Sequence, residues 1–262
     1  MSDEAFNSQT IELRDVTAVS LRDATMAVAE AVDWSVSPGE FWVIGGQQRS
    51  GKSDLLMLAA GLIPPAQGTC RVFGCNTESL GEAQLAEWLR TGFVFQGGQL
   101  FNRLTIAENI ALPLRYQKDL TTTESTRAVE VLLEMFELVP FADLTPLNVA
   151  ANWRSRAALA RALILKPELL LLDNPLYGLG ARHSQWMLRF LDQLWHGHEY
   201  LGGRPITLVV ATDDFRPWQH AQRKFALLHE KKFTALGFWT EIKTADQLVV
   251  RELMAETEEI QN

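Results

Sequence analysis

Residues 41–62 read FWVIGGQQRSGKSDLLMLAAGL, and within them GQQRSGKS spans Gly46 to Ser53. A short apolar run leads into a glycine-rich loop, and the loop into leucines at helical spacing. That is the strand–loop–helix context in which G-x-x-x-x-G-K-[ST] acts as a phosphate cradle. Glycines let backbone N–H groups close around phosphate oxygens, and the helix N-terminus adds partial positive charge. Lys52 is placed to reach the β/γ-phosphates and Ser53 to bind Mg²⁺. The expected nucleotide-binding set is Gly46, Gln47, Gln48, Arg49, Ser50, Gly51, Lys52, Ser53 and Asp54.

The flanking sequence extends the pattern. TIELRDVTAV and TMAVAEAVDWSV alternate as half-buried strands do. TGFVFQ, PELLLLD and PITLVVATDD are continuous apolar runs, as expected of strands covered on both faces. DLLMLAAGLI, LGEAQLAEWLR and ARHSQWMLRFLDQLWHGH carry helical periodicity, and KFALLHEKKFTALGFW reads as a closing hairpin. Strands alternating with helices predict an α/β fold, a P-loop NTPase core with a parallel sheet and an N-terminal antiparallel portion. From about Gln99 to Leu165 helical text dominates, which predicts an inserted helical subdomain. The chain is therefore expected to be a single domain. Its nucleotide-binding core comprises 1–96 and 167–240, its helical subdomain 97–166, and its C-terminal helical tail 241–262.

Composition narrows the function. A net charge of -8 and a pI near 5.2 argue against nucleic acid, which demands a basic face. No run of apolar residues is long enough to span a bilayer, since LALARALILKPELLLL is interrupted by Arg161, Lys166 and Glu168. The acidic start, MSDEAFNSQ, is unlike a signal peptide. A cytoplasmic protein is expected, with membrane contact only through a partner. Cys70 and Cys75 are too few to close a zinc site and read as strand and turn residues. His196, His198 and Asp192 fit a helix end better than a metal site.

Asp173 ends a buried run behind a phosphate loop, the usual place for a Mg²⁺ partner. With both motifs in place, the chain resembles an ABC-type ATPase subunit over nearly its whole length. FVFQGGQLFNRLTIAENIALPL resembles that family's glutamine loop, with Gln96 as its γ-phosphate and Mg²⁺ sensor. RSRAALARALILKPELLLLDNP resembles the helix after the signature motif running into the metal strand. The resemblance implies ATP and Mg²⁺ as cofactors, the latter held by Ser53, Gln96 and Asp173. It also implies a second ATPase subunit and a membrane permease as partners, and a location peripheral to the inner membrane through that permease.

Several positions depart from the family pattern. Asn174 stands where a glutamate polarises the attacking water, an assistance worth roughly 10²–10⁴-fold in rate. Asp213 stands where a histidine meets the γ-phosphate, and two like charges about 4 Å apart repel by about 4 kcal/mol at intermediate dielectric. Val149, Ala150, Ala151, Asn152 and Trp153 replace the Leu-Ser-Gly-Gly signature and the polar residue after it, and Gly180 replaces an aspartate. Arg154 and Arg156 are expected to add positive charge there. Near Ser20 no aromatic ring is offered for adenine. No catalytic group is intact, so the expected protein binds Mg-ATP and hydrolyses it slowly or not at all. An active ATPase completed by its partner, and a soluble regulatory protein on the same fold, remain as alternatives. The FQ-x-x-x-LF-x-x-LT-x-x-EN run and DFRPW look most like bacterial lipid-trafficking (Mla/Mce-type) subunits. Leu100, Phe101 and Leu104 are candidates for the permease groove.

Overall fold

A computed structural model describes residues 9–78, 89–116, 121–242 and 248–255. The chain divides into two compact units, residues 1–80 with 209–262, and residues 81–208. The expected helix over LGEAQLAEWLR falls largely outside the described residues, as does Trp88.

In the first unit, β1 (Ile11–Ser20) pairs antiparallel with β2 (Asp23–Val36) and with β4 (Gln67–Val72), which also pairs with β5 (Cys75–Asn76). These strands alternate because only one face is covered. Ile11, Leu13, Val16 and Ala18 are buried, while Glu12 and Arg14 form an ion pair on the other side. The unit's second sheet runs in the order β10 (Lys232–Phe238), β9 (Lys224–His229), β3 (Phe41–Gly45), β8 (Thr207–Thr212). Here β10 and β9 are antiparallel and β9 and β3 parallel. Every residue of β3 and of β8 is buried, which explains their unbroken apolar sequence. Helix α1 (Lys52–Ala59) follows β3, buried along Leu55, Leu56 and Leu58. Trp34 and Trp42 pack edge to face at 5.6 Å, as core residues rather than ligand platforms.

The second unit pairs β6 (Thr91–Val94) parallel with β7 (Leu169–Asp173). Its helices are α2 (Ile106–Ala111), α3 (Thr122–Met135), α4 (Ala151–Leu163) and α5 (Ala181–His196). The expected subdomain, 97–166, lies within this unit. Capping boxes start α2 at Thr105 with Glu108 and α3 at Thr121 with Glu124, so two Thr-x-x-Glu runs set two helix starts. Helix α5 buries Met187, Phe190, Leu191, Leu194 and Trp195 and ends at Gly197. A side chain at Gly197 would meet the Gly203 carbonyl at 2.4 Å. His196 and His198 are engaged locally, the first with the Asp192 carbonyl and the second with the Tyr200 amide. No group of acids, histidines or cysteines suited to a metal ion exists among the described residues.

The first unit closes with α6 (Trp239–Ile242) and α7 (Leu248–Met254). Helix α7 buries Val250 and Leu253, and its Leu253 carbonyl accepts the Phe215 amide at 2.9 Å.

Candidate functional site

The phosphate loop springs from β3. A Cβ on Gly46 would lie 2.5 Å from the Leu228 carbonyl oxygen, so the backbone there runs too close to β9 for any side chain. Gly51, at φ 93°, adopts a conformation that costs other residues strain, and a Cβ there would lie 2.4 Å from Val28 Cβ. Both motif glycines thus have a steric reason. Lys52 is 8% exposed, and its ammonium donates to the Gly46 carbonyl at 2.7 Å, the Gln47 carbonyl at 2.8 Å and Ser50 Oγ at 3.3 Å. The charge is held inside the curve of the loop. Ser53 opens α1 half-buried, and Gln47, Gln48 and Arg49 are exposed. The Asp54 carboxylate accepts the Leu21 amide at 2.8 Å and so anchors the β1–β2 turn. Ser20 turns inward, its Oγ accepting the Arg22 amide, which leaves Leu21 exposed at the tip.

Asp213 follows β8 and is half-buried. Its neighbour Asp214 takes the fork of Arg216, with Nε at 2.8 Å and Nη2 at 2.7 Å. The DFRPW run is therefore a turn closed by a bidentate pair.

The remaining candidates lie in the second unit. Asp173 ends β7 at 8% exposure. Asn174 then takes φ 44°, and its carbonyl accepts the Tyr177 amide at 3.0 Å. Asparagine tolerates this left-handed conformation better than glutamate does. The backbone itself thus favours an uncharged amide at this position.

Gln96 follows β6, half-buried. The loop behind it turns through Gly97, Gly98 and Gln99, all at positive φ. A residue that sequence reasoning missed holds it: Arg161 of α4 donates to the Gly98 and Gln99 carbonyls, each at 3.1 Å. A second is Asn109, fully buried, whose amide accepts the Phe101 N–H at 2.7 Å and donates to the Phe101, Leu104 and Thr105 carbonyls. Glu-Asn following a Thr cap was the available signal. Phe101 itself is 57% exposed, and Leu100 and Leu104 are half-buried.

At the signature position Val149 is buried, and Ala150 is the N-cap of α4 without a capping side chain. Ala151 is exposed, and the Asn152 amide is hydrogen-bonded to His183 Nε2. Trp153 packs on Phe141 at 5.0 Å and on His183 at 5.3 Å. The expectation that Arg154 and Arg156 supply open positive charge is corrected. Arg154 donates to the Pro146 and Val149 carbonyls. Arg156 is 3% exposed, sandwiched by two indoles and paired with Glu137 at 3.1 Å. Burial pulls its pKa down from the ordinary guanidinium value, opposed by Glu137. Around Gly180, the N-cap of α5, a Cβ would meet open space, so the missing aspartate is not excluded sterically.

Residues 29–177 match the ABC transporter family model. The chain is 34% identical over 230 residues to a sulfate/thiosulfate import ATP-binding protein, CysA, of Synechococcus elongatus, covering 87% of this chain and 63% of that one. It is 33% identical to a spermidine/putrescine import ATP-binding protein, PotA, of Trichodesmium erythraeum, covering 88% and 57%. The chain thus spans about three-fifths of the length of these curated relatives. Among solved structures it is similar to the dimeric ATP-binding cassette MJ0796 in a post-hydrolysis state bound to ADP and Pi. That match has a TM-score of 0.73 and 28% identity over 85% of this chain and 95% of that one. The cbiO1 structure from Clostridium perfringens, at 19% identity and TM-score 0.74 over 90% and 91%, shares the fold.

Proposed function

The chain belongs to the ABC transporter family of ATP-binding proteins, and from that premise we propose that it is a subunit that binds Mg-ATP and scarcely hydrolyses it. The observation that carries the reading is the amide of Asn174 directly after the buried Asp173 at the end of β7. An amide oxygen orients water but has almost no basicity near neutral pH, so the general-base contribution is lost. The phosphate loop fits a triphosphate. Its glycines permit close backbone approach, and Lys52 lies within it with Ser53 at the helix start. In this reading Gly46 to Asp54 serve the nucleotide, while Ser53, Gln96 and Asp173 serve Mg²⁺. Bound Mg²⁺ would neutralise phosphate charge. The stretch Val149 to Trp153 offers a helix start with no serine hydroxyl and no glycine, and Asp213 adds an anion.

The proposed partners are a second ATPase subunit and a membrane permease docking near Leu100, Phe101 and Leu104. The exposure of Phe101 and the rigid Asn109 staple beneath it support that face. The protein would lie on the cytoplasmic side of the inner membrane through the permease. No helix among the described residues is long and apolar enough to cross a membrane. Among ABC transporter subunits, the resemblance of residues 95–109 and of DFRPW favours the lipid-trafficking (Mla/Mce-type) class, without identifying a cargo.

One observation favours a second reading, an active ATPase with groups supplied by its partner. The left-handed backbone at Asn174 favours asparagine on conformational grounds, which do not require that a base be lost. Paired measurement of Mg-ATP affinity and phosphate release per site decides between them. Tight binding with release near background supports the first; brisk release abolished by Lys52→Ala supports the second.

A further inference from the structure

Helix α7 is seated against the strand end that carries the phosphate loop. A Cβ on Gly45, the last residue of β3, would lie 2.2 Å from the Phe215 ring and 3.0 Å from Leu253 Cδ1. Phe215 is tied by its amide to the Leu253 carbonyl, and Val250 and Leu253 are both buried. Beside Leu253 on this docked helix stands Glu252. Its Oε2 accepts a hydrogen bond from Gln47 Nε2 at 3.2 Å, joining positions 205 residues apart. Gln47 belongs to the cradle, and its own carbonyl receives the Lys52 ammonium at 2.8 Å. A carboxylate is therefore fixed at the lip of a loop shaped for a polyanion. The cations on the same two segments are Arg49, which is exposed, Lys52, which is turned into the loop, and Arg251, which is exposed on α7.

We propose that Glu252 is an electrostatic determinant of nucleotide affinity. It weakens binding of nucleoside polyphosphates in proportion to their charge, so that a triphosphate is penalised more than a diphosphate. The inference rests on the reading of Gly46–Ser53 as a nucleotide site. Repulsion between partly exposed charges is modest and falls with salt, because counter-ions screen it within about 10 Å at ~0.1 M. Docking of α7 holds the backbone of Glu252 beside the loop, and the Gln47 hydrogen bond sets its carboxylate at the lip.

The test separates charge from packing. Glu252→Gln retains an oxygen for Gln47 Nε2 and nearly the same volume, and removes only the charge. Glu130→Gln, an exposed site on α3, is the control for net charge. Affinities for Mg-ATP and Mg-ADP are measured by calorimetry on the full chain, at low and at high salt. The expected result for Glu252→Gln is an ATP affinity raised about three- to tenfold at low salt, a smaller gain for ADP, and a gain that shrinks as salt rises. Glu130→Gln should bind as the unmodified protein does. Unchanged affinities in Glu252→Gln would overturn the inference while leaving the ATP reading intact. Equal, salt-independent gains for both nucleotides would overturn it in favour of a packing role, as would the same gain in Glu130→Gln. If no protein binds either nucleotide at millimolar concentration, the nucleotide site itself is refuted and the inference falls with it.

Discussion

The guanidinium carbon of Arg156 lies 3.9 Å from the centroid of the Trp186 ring, with Trp153 at 4.6 Å from the same carbon. Trp153 lies in the first turn of α4, so this helix start is a packed aromatic cluster. Phe136 and Phe190 extend it, the latter stacked on Trp186 at 5.1 Å. Such a cluster holds the first turn of α4 in one place.

Removing Arg156 should therefore cost stability rather than anion binding. Cation–π contacts contribute about 0.5–2 kcal/mol each, and the pair with half-exposed Glu137 adds less than a buried pair would. Arg156→Ala is expected to lower unfolding free energy by about 2 kcal/mol in urea. Arg156→Lys should lose part of that, because an ammonium cannot stack its plane between two rings. An unchanged midpoint for both variants would show the sandwich to be energetically idle.

His183 gives the same cluster a pH dependence. Burial first, then the charges of Arg156 and Arg182, hold its pKa below the usual imidazole value, with Glu137 opposing. Its Nδ1 is buried without a hydrogen-bond partner among the described residues. A histidine depressed in the folded state favours the neutral form. Its contribution to stability is present above the unfolded pKa near 6.5 and is lost as pH falls through the lower folded value. The denaturation midpoint should decline below about pH 6.5, and His183→Gln should flatten that decline.

The two cysteines should differ sharply. Cys70 is fully buried in β4, its Sγ directed to the Leu58 carbonyl at 3.4 Å, and burial pushes its thiol up to about 11. Cys75 is half-buried in the adjoining strand β5. Only the thiolate attacks a maleimide, so native protein at neutral pH should label once, at Cys75, and twice only after unfolding. Rapid native labelling of Cys70 would mean that β4 opens readily.

Strands, loop and helix starts were legible because their causes are local. Gly46 and Gly51 announce a close backbone approach, and two Thr-x-x-Glu runs announce caps. Long-range polar fastenings were not legible. Arg161 reaches carbonyls 62 and 63 positions away, and Glu252 reaches Gln47 across 205. Each of these side chains, read alone, is an ordinary charged residue on a helix. Arg156 misled for a related reason: its sequence context says surface, and only the two indoles brought over it by folding make it core.

Asn174→Glu tests the proposal that turnover is slow for want of a base at this position. The substitution places a carboxylate after Asp173, but the backbone there is at φ 44°, where glutamate is less at ease than asparagine by about 1 kcal/mol. It also leaves Asp213, the aromatic cluster at Trp153 and Gly180 in place. General-base assistance alone is worth roughly 10²–10⁴-fold, and it acts only on a triphosphate already clasped in the reactive geometry. Phosphate release by Asn174→Glu is therefore expected to stay within about tenfold of the unmodified protein, with slightly reduced stability. Asn174→Gly, which relieves the backbone without adding a base, should match it in rate and exceed it in stability. A rise of about a hundredfold or more in Asn174→Glu alone would show that a single amide was the whole defect and that the altered signature still serves catalysis.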